Sequence, residues 1–323
     1  MSSLGDVVQA LPLVHDLRTH VDGVTIDWVI EEAFAPLLGE ALGIERIVPI
    51  ALRRWRQQLF SAATQRERRA FAARLRREAY DAVIDCQGLV KSALVARQAA
   101  LAPGGHRYTY ANGSELCGYE WPVRFMVDRP VAMDRRVHAV RRYRLLAARA
   151  LGYDIANTPP RVDWRFAPPL GDGRDVLLAH GTTRSDNEWP EAGWIDIGRR
   201  LAGAGLRVVL PQIGAVEALW VQRLAGAIGG DVELLPPMQL DALARRMAAC
   251  AGVIGVDSGL SHLAVALGLC HVQIFSQPRV WRAGPVGSTF QLPVGGDAAP
   301  SAAAVWAVWL QAWAARPAAA GAS

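Results

Sequence analysis

The stretch Asp257-Ser258-Gly259-Leu260-Ser261-His262 directly follows an apolar run at 252–256. A strand that ends this way and opens a helix offers free backbone N–H groups and the positive end of the helix dipole, an arrangement that holds phosphate. Gly259 lets a ligand approach the backbone, and Ser258 can donate to a phosphate; plain capping of the helix by Asp257 or Ser258 accounts for the same residues. A second loop, His180-Gly181-Thr182-Thr183-Arg184-Ser185-Asp186-Asn187-Glu188-Trp189-Pro190, follows the apolar run 175–179. Its two threonine hydroxyls and glycine suit a phosphate, and a polar turn before a helix is the simpler alternative. Near the N-terminus Ser2-Ser3-Leu4-Gly5-Asp6 precedes a helical stretch, 7–17. Asp6 is there either as a first-turn acid or as a carboxylate placed for general base work. Two basic clusters, Arg53-Arg54-Trp55-Arg56 and Arg141-Arg142-Tyr143-Arg144, carry guanidinium groups that bind carboxylate and phosphate bidentately.

The elements that would position these residues alternate. In the first half, residues 24–30 and 81–85 read as strands. Residues 66–78, with Phe71 and Leu75 one turn apart, read as a helix, as do the stretch from Gly88 onward and 137–151, which Gly152 stops. Proline at 159, 160, 168 and 169 marks an interdomain linker. A second series follows, with strands at 175–179, 207–210, 232–235, 252–256 and 272–275. Helices lie between them: from Glu191, through Leu219 and Leu224, at 240–249 and at 260–267. Apolar strands alternating with helices predict parallel sheets covered on both faces. The expected fold is therefore α/β, with two Rossmann-like domains at 1–160 and 170–300. Ligands in such folds lie beyond the carboxyl ends of the strands. The Ala- and Trp-rich segment 301–316, with Trp306, Trp309 and Trp313 on one face, is expected to be a helix packing back on the first domain; a membrane-surface helix is the weaker reading because Arg316 is its only charge.

With 323 residues, 51% hydrophobic and 20% charged, the chain is a globular protein of about two domains. It has no apolar run of the roughly 18 residues that a membrane span needs, and its start lacks the basic and apolar regions of a secretory signal. The four cysteines, at 86, 117, 250 and 270, have neither metal-ligand nor disulfide-framework spacing and read as small buried hydrophobes of a reducing cytoplasm. Charge is uneven: residues 51–149 hold 20 basic and 8 acidic side chains, which points to an anionic partner for the first half. Nucleic acid, anionic lipid and a sugar acid all qualify, but no nucleic-acid motif accompanies the patch. The Gly-x-Ser-x-Gly and Gly-x-Gly-x-x-Gly signatures of hydrolases and nicotinamide enzymes are absent.

Taken in order, several motifs resemble the bacterial heptosyltransferases, ADP-heptose glycosyltransferases of the GT-B fold, in which two Rossmann-like domains face a central cleft. They are Ser2-Ser3-Leu4-Gly5-Asp6-Val7, Arg53-Arg54-Trp55-Arg56, Tyr80-Asp81-Ala82-Val83-Ile84-Asp85-Cys86-Gln87-Gly88-Leu89-Val90-Lys91-Ser92, His138-Ala139-Val140, Thr182-Thr183-Arg184 with Trp189-Pro190-Glu191, and Asp257-Ser258-Gly259-Leu260-Ser261-His262-Leu263. The resemblance implies inverting transfer of L-glycero-D-manno-heptose from ADP-heptose to the Kdo of Kdo-lipid A, in lipopolysaccharide inner-core synthesis. It also implies a cytoplasmic protein, peripheral on the inner membrane, with no cofactor, no essential metal and no nucleic-acid partner. By resemblance Asp6 is the general base. Thr182, Thr183, Asn187, Glu217, Met238, Asp257, Ser258, Gly259, Leu260 and His262 hold the donor, and Ser3, Gly5, Arg53, Arg54, Arg56 and Arg142 hold the acceptor.

Two departures stand out. The family usually has a lysine where this chain has Asn187, which removes a cation near the phosphates; Arg184 is the expected substitute. The family's first β-strand ends where Met1 stands, so the resemblance predicts a gap in the first sheet beside Asp6 and a start about six to eight residues upstream, a typical strand length. Mass spectrometry of the native protein reads that start directly. Two other functions compete. One is a heptosyltransferase acting one sugar later; against it, the Arg53 cluster and the Thr182 loop resemble the branch that adds the first heptose. The other is a binding module that clamps a sugar nucleotide without reacting it.

Overall fold

The computed structural model describes residues 3–166, 173–212 and 214–317. Ser2, Pro168 and Pro169 lie outside them. The chain divides into two compact units, Met1–Arg165 and Phe166–Ser323.

The first unit opens with α1 (Leu4–Ala10) and α2 (Pro12–His20), followed by β1 (Asp27–Glu31), α3 (Ala35–Gly39), β2 (Arg46–Ile50), α4 (Leu52–Gln57) and α5 (Ala62–Leu75). It continues with β3 (Ala79–Ile84), α6 (Val90–Ala96), β4 (Ala100–Tyr110), a 3-10 turn at Trp121–Phe125, β5 (Arg129–Val131) and α7 (Ala139–Leu151). The expected single helix at 7–17 is broken in two, because Pro12 cannot continue α1 but suits the first position of α2. Phe71 and Leu75 are buried on α5 as their spacing predicts. Gly152 ends α7 with φ 80°, a left-handed conformation that glycine adopts without a Cβ clash.

The strands of this unit form two separate parallel sheets, β1-β2 and β3-β4-β5. Between them runs a groove of about 850 Å³, walled by β1, β3 and the apolar faces of α1 and α2, with Asp6 among its lining residues. Among the described residues, β1 and β3 each have a ladder partner on one side only. Tyr80 and Arg46 bridge the groove, the Tyr80 hydroxyl donating to Asp27 Oδ2 at 2.7 Å and Arg46 Nη2 donating to the Tyr80 oxygen at 2.7 Å.

The second unit contains β6 (Asp175–Ala179), α8 (Glu191–Gly203), β7 (Arg207–Leu210), α9 (Gly214–Ile228), β8 (Val232–Leu234), α10 (Leu240–Ala248), β9 (Gly252–Val256) and α11 (Gly259–Ala266). After these come β10 (Cys270–Phe275), α12 (Val280–Ala283), β11 (Gln291–Gly295) and α13 (Ala302–Ala315). Six parallel strands run in the order β11-β10-β9-β6-β7-β8. The two central strands, β6 and β9, carry every residue buried, as continuous apolar runs require when both faces are covered. Helix α13 packs on this sheet rather than on the first unit, burying Val305, Trp309 and Ala312 in the core formed with β9 and β10. Gly252 permits this: a Cβ there would lie 2.6 Å from the Trp309 ring. Of the three tryptophans expected on one face, Trp309 is fully buried and Trp306 and Trp313 half-buried. The four cysteines are free thiols, and burial pushes Cys86, Cys250 and Cys270 up to about 12.

His271 on β10 is wholly enclosed, with Nδ1 2.9 Å from the Val253 carbonyl and Nε2 without a partner. Burial, the largest influence, lowers its pKa to about 4. The folded state therefore binds fewer protons than the unfolded chain below pH 6.5. Stability falls as the pH drops from 6.5 to about 4, by up to roughly 3 kcal/mol in all. His271→Gln, which cannot take up that proton, is expected to flatten the melting temperature over that interval in differential scanning calorimetry.

Candidate active site

In the first unit, Asp6 lies in the first turn of α1. Ser3 caps the helix, its Oγ accepting from Asp6 N at 3.2 Å while donating to Asp6 Oδ2 at 2.5 Å. Ser3 takes φ 130°, a costly conformation for a residue with a side chain. The Tyr143 hydroxyl of α7 donates to Asp6 Oδ1 at 3.1 Å. Burial, then the Asp6 charge, pushes Tyr143 well above its usual pKa, so it stays a donor. The carboxylate is thus held by two hydroxyls with lone pairs to spare, as a base needs. The first-turn position of Asp6 is realised.

Arg142 precedes Tyr143 and is 3% exposed. Its guanidinium lies 3.6 Å from the Tyr110 ring centroid, its Nη2 donates to Gly118 O at 3.5 Å, and its Nε has no partner. A buried cation with an open donor suits an anion. Its neighbour Arg144 does different work, pairing bidentately with Asp16 of α2 at 2.6 and 2.8 Å. On α4, Arg53 and Arg56 are exposed, whereas Arg54 is paired with Glu32 and Glu67. Glu67 also accepts from Trp55 Nε1 at 2.7 Å, so Arg54 and Trp55 pin α4 to α5. Gly5 sits within the first turn of α1.

In the second unit the sheet order turns between β6 and β9, and the predicted donor residues follow the carboxyl ends of these and neighbouring strands. Asn187, 4% exposed, donates from Nδ2 to Asp257 O at 2.8 Å and accepts from Arg279 Nη1 at 3.0 Å. Arg279 also reaches Asp186 at 2.6 Å. Arg184 is bound to the same Asp186 through two nitrogens and lies exposed in its loop. The cation lodged against Asn187 is therefore Arg279, not the expected Arg184. Asp186, under hydrogen bonds from Arg184 and Arg279, is held below the usual carboxylate range.

Asp257 accepts from Gln273 Nε2 at 3.1 Å and lies 3.4 Å from His262 Nε2. Burial works to raise its pKa, but the His262 hydrogen bond and the charges of His262, Arg282 and Arg279 outweigh it and keep the carboxyl below its ordinary value. Ser258 stands at the N-cap of α11 without capping it; its Oγ is buried and has no partner, and neither has Arg282 Nε. Gly259 and Leu260 supply the first backbone N–H groups of α11. Thr182 Oγ1 accepts from Arg184 N at 3.3 Å, and the Thr183 side chain is exposed. His180 closes the β7 side, 3.0 Å from Pro211 O and 3.6 Å from Glu217. Burial lowers its pKa and keeps the ring neutral. Glu217 lies in the first turn of α9, and Met238 is half-buried in the loop between β8 and α10. Among the described residues no group of three or more His, Cys, Asp or Glu is placed to hold a metal ion.

Open donors at the N-terminus of α11 suit an anion such as a diphosphate. Residues 68–294 match glycosyltransferase family 9 (heptosyltransferase). Lipopolysaccharide heptosyltransferase 1 of Escherichia coli strain K12 is 38% identical over 281 residues, 85% of each chain. The chain belongs to the heptosyltransferase family. The heptosyltransferase 1 of Pseudomonas aeruginosa PAO1 is 33% identical over 302 residues, 92% of this chain and 82% of the relative. Among solved structures, E. coli heptosyltransferase WaaC with ADP superposes with a TM-score of 0.84 at 33% identity, covering 97% of this chain and 98% of that one. This heptosyltransferase shares its GT-B-like α/β fold with parallel sheets. Tyr143 beside Asp6, and Arg279 and Arg282 beside Asn187 and Asp257, were not among the residues that sequence reasoning singled out for a role. The first was findable as the aromatic within the basic cluster 141–144, whereas nothing in the sequence marked the other two.

Proposed function

We propose that this heptosyltransferase moves L-glycero-D-manno-heptose from ADP-heptose to the Kdo of Kdo-lipid A, with inversion. The observation that carries the reading is the unpartnered Ser258 hydroxyl at the α11 N-terminus, with Arg282 Nε likewise open. Such donors await an anion, and a departing diphosphate is one. WaaC is known with ADP and with ADP-2-deoxy-2-fluoro heptose, which supports the same ligand here.

In the reaction, Asp6 takes the proton from the attacking Kdo hydroxyl as the new bond to the anomeric carbon forms. The bond from that carbon to the diphosphate oxygen breaks, and ADP leaves with the electron pair. Tyr143 and Ser3 orient the base. Ser258, the Gly259 and Leu260 N–H groups, Arg279 and Arg282 stabilise the charge growing on the diphosphate. Thr182 and Thr183 add hydroxyls, Glu217 faces the ribose and Met238 the adenine. Arg142, with Arg53 and Arg56, receives the acceptor's carboxylates and phosphates. A lipid-anchored acceptor and the excess of basic residues at 51–149 both support a peripheral position on the cytoplasmic face of the inner membrane.

Release of ADP that requires both ADP-heptose and de-acylated Kdo-lipid A is the test. Release only with an acceptor already bearing one heptose would assign the next transferase instead. Binding of ADP-heptose without release would indicate a non-catalytic clamp.

Ser258→Ala is expected to weaken ADP binding by about 10–100-fold in calorimetry, the worth of a hydrogen bond to a charged group. It should leave the melting temperature unchanged, because that hydroxyl has no partner to lose in the free protein.

A further inference from the structure

Helix α6 and the 3-10 turn Trp121–Phe125 are tied together at both ends. Glu120 Oε2 accepts from Val90 N at 2.6 Å, and Arg97 Nη1 donates to Met126 O at 3.5 Å. Ala93 and Val123 are fully buried beneath them. The outward side is unusual. Helix α6 exposes Lys91, Leu94 and Arg97 at successive three-residue steps, one face of a helix, and the turn exposes Trp121, Arg124 and Phe125. Leu94, Trp121 and Phe125 are 53%, 69% and 66% exposed. The Trp121 and Phe125 rings meet edge to face at 6.1 Å, and the Arg124 guanidinium lies 4.6 Å from the Phe125 centroid. The acids nearest by sequence are engaged, Glu120 with Val90 N and Asp128 with Arg107. An apolar centre of preassembled rings is thus bordered by three cations.

A tryptophan and a phenylalanine ringed by Lys and Arg is the composition found at the headgroup level of a bilayer, where rings enter the acyl boundary and cations face anionic lipid. None of these side chains contributes to the base or to the phosphate cradle. We propose that this face, α6 with Trp121–Phe125, docks the protein on an anionic lipid bilayer. The proposal rests on the reading that the acceptor is lipid-anchored, and it says which surface meets the lipid.

The test is co-sedimentation of the full chain with vesicles of equal parts phosphatidylglycerol and phosphatidylcholine, and with phosphatidylcholine alone, beside transfer to the de-acylated acceptor. Trp121→Ala with Phe125→Ala is expected to lower binding to the mixed vesicles at least about 10-fold, the loss of two interfacial aromatic anchors. Arg97→Gln with Arg124→Gln should lower it by about 25-fold, since each near-surface cation is worth about five-fold. Transfer to the soluble acceptor should stay at the wild-type rate for both pairs. Equal sedimentation of wild type and variants, or none for the wild type, would overturn the docking face while soluble transfer still supported the function. Vesicle binding without soluble transfer would overturn the function and leave the docking face standing. Wild-type dimers that the aromatic pair of substitutions dissolves, with no vesicle binding, would assign the face to self-association instead.

Discussion

Asp6→Asn is expected to lower kcat for heptose transfer by about 10³-fold, within the roughly 10²–10⁴-fold that a positioned base contributes. The amide cannot take the Kdo proton. It also fits its place poorly, since Ser3 and Tyr143 both donate to the carboxylate and an amide has one accepting oxygen to offer them. The dissociation constant for ADP should not change, because every cradle residue lies in the second unit. Stopped assays for ADP release beside calorimetric ADP binding check both halves. Loss of binding together with turnover would show that the substitution had damaged the fold rather than removed the base. Tyr143→Phe is expected to cost less, about 10-fold, because it removes one hydrogen bond to the charged carboxylate and leaves the base itself.

Asp16→Ala is expected to cost about 3–5 kcal/mol of the first unit's stability, enough to unfold a marginal domain. Asp16 and Arg144 are almost wholly enclosed, with side-chain exposures of 1% and 6%. Arg144 also donates to the Thr158 carbonyl at 2.6 Å. Removing the carboxylate strands a guanidinium between α2 and α7, the two helices that flank the base. Replacing both partners, Asp16→Leu with Arg144→Met, should restore most of the loss, because the cost lies in the unpaired charge rather than in the absence of the pair. Urea denaturation followed by tyrosine and tryptophan fluorescence would read this. Similar stability for the single and double variants would refute it.

These expectations depend on side chains that the sequence disclosed unevenly. In the second unit, strands 175–179, 207–210 and 252–256 are found at their expected limits, because a strand buried on both faces is an unbroken apolar run with sharp ends. β2 contains Pro49, β4 contains Pro103 and two glycines, and β11 contains Pro293; each reads as a turn until its neighbours are known. Helix 301–316 was legible as a helix but not in its destination, which depends on the vacant space over Gly252. Ser258 and Asp257 were legible because they follow an apolar strand, and Asn187 through the resemblance to the family. Arg279 was not, since an arginine in a loop carries no sign of what it will reach. In the cluster 141–144 the sequence showed one basic patch. Helical phase divides it among an anion-ready cation at 142, the orienting hydroxyl at 143 and a core ion pair at 144.

The groove between β1 and β3 has a consequence for how the base is mounted. A sheet whose ladder runs unbroken opens as a single cooperative unit, whereas two sheets separated by a groove can open independently. In the first unit, cohesion between β1-β2 and β3-β4-β5 falls to α1, α2, α7, the Asp27–Tyr80–Arg46 bridge and the core in which Phe71 and Leu75 of α5 meet Val48 and Ile50 of β2 and Val83 of β3. Asp6 rides on α1, and Tyr143, which orients it, on α7. Sub-global opening that separates α1 from α7 would therefore also break the Tyr143–Asp6 hydrogen bond. Anything that fills the groove and completes the hydrogen-bond ladder would raise turnover and local opening free energy together.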